Sequence, residues 1–108
     1  MNKIIKGIPG SGGTAIGKVK IIIDEKHIGE FKAGEILVTR QTSPAWTPLF
    51  MAAKAVVTEV GGSLSHAAIV AREYGIPAVV GINGITGELK TGQLIEIDGI
   101  KGEIKVFE

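Results

Sequence analysis

The sequence predicts a mixed α/β domain of compact, layered build, and three observations carry that prediction. Segments rich in β-branched residues lie toward both ends of the chain, GKVKIII at Gly17–Ile23 and the pair LIEID and EIKVF at 94–98 and 103–107. Between them lie two units in which a helix-like segment is joined to a short apolar run. Sixteen glycines are spread along 108 residues, which marks many tight turns between short elements and not one flexible linker.

In chain order, Gly17–Ile23 reads as a first strand and Glu35–Thr39 as a second, entered from Lys32-Ala33-Gly34. The preceding GIPGSGG (Gly7–Gly13) reads as a turn. It lacks the Gly-Lys-Ser/Thr ending of a nucleotide loop. In TSPAWTPLFMAAK, Ser43 before Pro44 and Thr47 before Pro48 each look like an N-cap with proline at the first helical position, so a turn and then a short helix to about Lys54 are expected. Trp46, the only tryptophan, is expected to anchor the core. Ala55–Thr58 reads as a short buried strand, Ser65–Tyr74 as the main helix stopped by Gly75 with Pro77 beyond, and Ala78–Val80 as another buried strand. The last two strands alternate apolar and polar residues about Gly99–Gly102 and read as a hairpin. No domain boundary is visible, so residues 1–108 are read as one domain.

Composition narrows the function. Twelve basic residues nearly balance eleven acidic ones, and no run of like charge exists, so no face for nucleic acid or anionic lipid is expected. No cysteine is present, which rules out disulfides and thiolate metal sites, and with two histidines a dedicated transition-metal site is not expected. The first residues, MNKIIKGIPG, hold no apolar run of signal-peptide or membrane-span length, so a cytoplasmic location is expected. His27, beside Lys26, reads as a solvated surface residue.

His66 is the residue that asks for an explanation. It falls in the first turn of the main helix, where backbone N–H groups lack intrahelical partners and the helix dipole is positive. At about 100° per residue, Ala67, Ala68, Ala71 and Tyr74 share one face, which is expected to lie on a sheet. His66, Ile69, Val70 and Glu73 fall on the other face and are expected to look outward, with Ile69 and Val70 forming an apolar apron that suits docking. Gly61 and Gly62 would let the approaching backbone stay slim and adopt positive φ. A neutral imidazole is nucleophilic and can hold a phosphoryl group on a ring nitrogen through a labile P–N bond. The residues alone leave two readings open: an anion-binding or phosphoryl-carrying histidine, or a capped helix whose histidine bonds to a neighbour.

The stretch GGSLSHAAIVAREYGIPAVVG (Gly61–Gly81) closely resembles the signature of the phosphohistidine, or swivelling, domain of phosphoenolpyruvate-utilising enzymes. GIPGSGGTAIGKV, GEILVTRQTSPAWTPLF, AVVTEVGG and TGQLIEIDGIKGEIKVF resemble other parts of that domain, so the likeness runs from about Gly7 to Phe107. The resemblance implies a swivelling β/β/α three-layer domain in which His66 is phosphorylated, Gly61, Gly62 and Ser65 form the loop around it, and Arg72 ends the motif. It also implies a transferase component that needs partners. These are an ATP-grasp nucleotide-binding domain and a phosphoenolpyruvate/pyruvate-binding barrel or another acceptor-binding domain, either as separate subunits or in a longer chain. Mg²⁺ and ATP or phosphoenolpyruvate would sit on those partners, and none on this domain. Many synthases and dikinases of the family have threonine where this chain has Leu64; leucine there, like the TPLF segment, is more similar to rifampin phosphotransferase and phenylphosphate synthase. The rival expectation is a non-catalytic docking or regulatory module of the same fold. A lipoyl- or biotin-type carrier is disfavoured, because Lys54 closes a helix and does not tip a hairpin.

Overall fold

A computed structural model describes residues 2–107. Its strands are β1 (Lys3–Lys6), β2 (Ile8–Ser11), β3 (Thr14–Ile21), β4 (Ile36–Thr39), β5 (Ala55–Thr58), β6 (Ala78–Val80), β7 (Leu94–Asp98) and β8 (Glu103–Val106). The α-helices are α1 (Thr47–Ala52), α2 (His66–Tyr74) and α3 (Ile85–Glu88), and 3-10 turns cover Glu25–Glu30 and Pro44–Trp46.

The strand order is β1-β8-β7-β3-β4-β5-β6-β2. β3 to β6 run parallel from neighbour to neighbour, and the remaining pairs are antiparallel. β3 joins two layers: its residues 14–18 pair with β7 and its residues 19–21 pair with β4. The two ends of the order, β1 and β2, are separated in sequence only by Gly7, so the sheet curls back on itself. The result is β on β with α1 and α2 on one outer side, the predicted three-layer arrangement, while α3 sends Ile85 into the core between the β layers.

Side-chain alternation explains the layers. In β4, Ile36 and Val38 enter the core between the β layers while Leu37 enters the core under the helices; in β5, Ala55 and Val57 divide from Val56 in the same way. A strand buried on both faces reads as a near-continuous apolar run, which is why ILVT and AVVT show no polar alternation and only a closing threonine each. β7 and β8 turn Ile95, Ile97, Ile104 and Val106 inward and their charged residues outward, as a half-solvated hairpin does. Trp46 is buried in the helix-side core with Phe50 and Leu49, as expected of an anchor.

Four expectations need correction. Gly7–Gly13 is not only a turn: Ile8–Ser11 is a strand, antiparallel to β6 with an irregularity between Pro9 and Ser11. The first long strand starts at Thr14 and not Gly17, and it ends at Ile21. Thr47 is no N-cap; the 3-10 turn at Pro44–Trp46 runs straight into α1, and Ser43 precedes that turn without a capping hydrogen bond. On α2, Val70 is buried and Tyr74 is exposed, the reverse of the assignment made from a single apolar face. The cause is α1, which flanks α2 and contributes Leu49 and Phe50 to the same core, so α2 is covered on two sides.

Candidate functional site

The site is built where β5 ends and α2 begins. Ser65 is the N-cap of α2: its backbone is extended and its Oγ accepts from the Ala68 N–H at 3.4 Å, while its hydroxyl donates to the Gly62 carbonyl at 2.8 Å. A serine cap of this kind is worth about 1 kcal/mol. At the other end Gly75 adopts the left-handed conformation, φ 69°, and its N–H closes onto the last carbonyls, as its place after Tyr74 predicts. Between the caps, Ala67, Ala68 and Ala71 let α2 lie close on the sheet. β2 passes beneath: a methyl group on Gly10 would lie 3.4 Å from the Ala68 Cβ.

His66 opens the helix and is half-buried, not fully presented to solvent. Its ring meets the Phe50 ring edge-on, with centroids 6.2 Å apart and planes at 82°. Its Nδ1 lies 2.8 Å from the Thr42 Oγ1. No hydrogen bond engages Nε2 among the described residues. Thr42 therefore fixes both the ring's orientation and which nitrogen is engaged. Thr42 also lines a hollow of about 260 Å³ with Ile23, Asp24, Glu25, Gln41, Ser43 and Trp46. Another hollow, lined by Ile4, Glu96, Asp98, Lys101, Glu103 and Lys105, lies on the outer face of the β7–β8 hairpin and has no part in this site.

The loop before His66 has one indispensable glycine. Gly61 has φ 119°, and a Cβ there would stand 2.7 Å from the Ser65 Cβ. Gly62 departs from expectation, since its φ is not positive and a Cβ on it would meet nothing within 4 Å. Its contribution is its carbonyl, which takes both the hydroxyl and the N–H of Ser65. Arg72 pairs with neither Glu59 nor Glu73; its guanidinium donates to the Ser63 carbonyl and so braces the same loop from the next turns of α2. Leu64, between these residues, is 82% exposed, and Ile69 is also exposed. The expected apolar apron thus consists of Leu64 and Ile69, and Val70 does not contribute. His27 is exposed, with its Nδ1 2.6 Å from Glu30, and lies outside the site.

Two residues of the site escaped the sequence reading. Thr42 sits in a segment without regular structure, 24 residues before His66, where nothing local marks it. Glu59 turns to Thr86 at 2.5 Å from the hydroxyl and 3.0 Å from the N–H, and its other oxygen lies 3.9 Å from the Arg40 Nε. The Thr86 hydroxyl, then the Thr86 N–H, hold the Glu59 carboxyl below its ordinary 4.5, and Arg40 adds to this against the opposing effect of burial. A depressed carboxyl contributes stability above its unfolded pKa and loses it as pH falls through the folded value. Thermal melts should therefore show stability falling in acid below about pH 4.5, with a shallower fall in Glu59→Gln. Identical acid limbs in the two proteins would contradict the pairing.

Replacing Thr42 by valine tests the ring's orientation. Loss of the hydroxyl should remove the partner of Nδ1, a contact worth about 1 kcal/mol, visible as a shift of the His66 ring ¹⁵N resonances. Unchanged ring resonances would mean that the contact is not formed in solution.

Among the described residues no helix is long and apolar enough to cross a membrane, and no group of three or more His, Asp or Glu gathers as a metal site.

The family model described as PEP-utilising enzyme, mobile domain, matches residues 31–102. The uncharacterized phosphotransferase YvkC of Bacillus subtilis is 52% identical over 94% of the chain and 12% of its own length. A rifampicin phosphotransferase of Streptomyces sviceus is 46% identical over 94% of the chain and 12% of its own length. An NMR solution structure of Enzyme I (nEIt) superposes with a TM-score of 0.62 and 33% identity over 71% of the chain and 32% of that structure. The chain thus spans about an eighth of the length of these curated relatives.

Proposed function

We propose, from the premise that the chain belongs to the family of PEP-utilising enzyme mobile domains, that it is the phosphoryl-carrier component of a phosphotransferase and that His66 carries the group. The observation that supports this best is the asymmetry of the ring: Nδ1 is held by the Thr42 hydroxyl, and Nε2 has no protein partner among the described residues. With the proton on Nδ1 and the Thr42 oxygen accepting it, the in-plane lone pair of Nε2 is the nucleophile. That lone pair attacks phosphorus, the P–O bond to the leaving oxygen breaks with its electron pair, and Nδ1 keeps its proton. The positive charge that the ring gains is shared toward Thr42. The return step reverses these bonds onto an acceptor oxygen.

The surroundings fit such a group. The first N–H donors of α2 and its positive dipole end favour a dianion at His66. Gly61 and Gly62 keep side chains off the approach, and Ser65 and Arg72 fix the loop's shape. The chain supplies neither a nucleotide site nor an acceptor site in this reading. We assign those to partners: an ATP-grasp domain, and a phosphoenolpyruvate/pyruvate barrel or another acceptor-binding domain, with Mg²⁺ and ATP or phosphoenolpyruvate held there. The exposed Leu64 and Ile69 beside the ring suit contact with such a partner. The test is incubation with those partner domains and the donor, followed by peptide mapping. A phosphoryl group on the His66 peptide, labile in acid and stable in alkali, is expected; a phosphoryl group elsewhere refutes the assignment.

A further inference from the structure

Glu59 has no part in the transfer described above, yet it holds the stem of the histidine loop. It follows the last residue of β5, and its carboxylate bonds to the first turn of α3. There one oxygen accepts from both the N–H and the hydroxyl of Thr86. The cap position of α3 is Gly84, which offers no side-chain cap, so a carboxylate 27 residues away satisfies the helix start instead. The Glu59 N–H donates to the Thr39 and Arg40 carbonyls, and the Val60 N–H donates to Arg40. Stem, α3 and the end of β4 are therefore tied together.

Little slack separates that stem from His66. A Cβ on Gly61 would stand 2.7 Å from the Ser65 Cβ, and the Gly61 carbonyl would stand 3.0 Å from a Cβ on Gly81. Ser65 is bonded back to Gly62, and Ser63 is held by Arg72. These bonds couple residue 59 to Ser65 and to the ring that follows it. We propose that Glu59 is a positioning residue, which grips Thr86 to set the glycine loop and thereby the register of the His66 ring against Thr42. Its use rests on the carrier reading; the positioning itself does not.

The experiment compares the chain with Glu59→Ala, Glu59→Gln and Thr86→Val. The first readout is the His66 ring ¹⁵N resonances of the unphosphorylated protein. The second is the ³¹P resonance and lifetime of phosphohistidine after loading with phosphoramidate, a small donor that needs no partner domain. Glu59→Ala should shift the ring resonances, as the Thr42 contact is weakened, and shorten the phosphohistidine lifetime by about threefold or more. Glu59→Gln keeps an acceptor oxygen for both Thr86 donors and should stay near the parent. Thr86→Val removes one donor and should move the ring resonances the same way by less, which decides the matter if Glu59→Ala does not fold. Ring resonances unmoved in a folded Glu59→Ala, or in Thr86→Val where Glu59→Ala does not fold, overturn the proposal. A parent protein that takes no phosphoryl group on His66 instead overturns the carrier reading, while the ring resonances still decide the role of Glu59.

Discussion

His66→Gln is expected to abolish phosphoryl transfer through this chain while leaving it folded. Assembled with the proposed partner domains and a donor, the variant should lose at least about 10³-fold in turnover, because a glutamine amide has no lone pair basic enough to take the group. The fold should survive for identifiable reasons. The cap of α2 is Ser65 and not His66, and the core beneath the helix is made by Ala67, Ala68, Val70 and Ala71. What is lost is the edge contact with Phe50 and the bond to Thr42, and the glutamine amide can replace the second. His27→Gln is the matched control. That ring is exposed and bonded to Glu30, away from α2, in a short 3-10 turn opened by Asp24 and Glu25, so its loss should leave transfer unchanged. A His66→Gln protein that turns over at the parent rate, or a His27→Gln protein that does not, would end the carrier assignment.

The parts of this site that could be read from the sequence are those whose causes are local. The stop at Gly75 and the buried strands on either side each follow from neighbours within a few positions, while the sequence pattern runs the helix one residue too long, to Ser65, which is its cap. The long signature around His66 adds, by resemblance, the expectation that Gly61, Gly62 and Ser65 surround it. Thr42 and Glu59 act across 24 and 27 residues, and no local pattern records a hydrogen bond of that reach. The same limit hid β2. Pro9 and Gly10 argue against a strand, and only its pairing with Ile8↔Val80 and Pro9↔Val79, some 70 positions on, makes one. An edge strand tolerates proline, because one side of its backbone has no ladder to serve. The misplacement of Val70 has a related origin. A helical wheel gives one face to one neighbour, whereas α2 has two neighbours, the sheet and α1.

Gly99→Ala is expected to be the most destabilising single-methyl change in the hairpin, by about 3 kcal/mol or more. The sequence marks Gly99 only as a turn residue, and its φ is not positive, so backbone strain is not the reason. The reason is proximity. A Cβ on Gly99 would overlap the Ser11 carbonyl oxygen and stand 2.9 Å from the Ser11 carbonyl carbon and 3.3 Å from the Ala78 N. All three are backbone atoms at the point where β2 pairs with β6, so no rotamer change can make room. The hairpin cannot retreat easily either, since the Gly99 N–H is bonded to the Gly13 carbonyl and Asp98 holds the Ile100 and Lys101 N–H groups. Relief has to come from parting β2 from β6, the layer on which α2 and its histidine rest. For a chain of this size the melting temperature should fall by more than about 10 °C. Gly87→Ala is the comparison. It lies inside α3 with ordinary φ and open space around it, so added helix propensity should leave stability level or raise it by about 0.5 kcal/mol. Equal melting temperatures for the two variants would show that Ser11 and Gly99 do not approach each other as described, and with that the support beneath α2 would have to be redrawn.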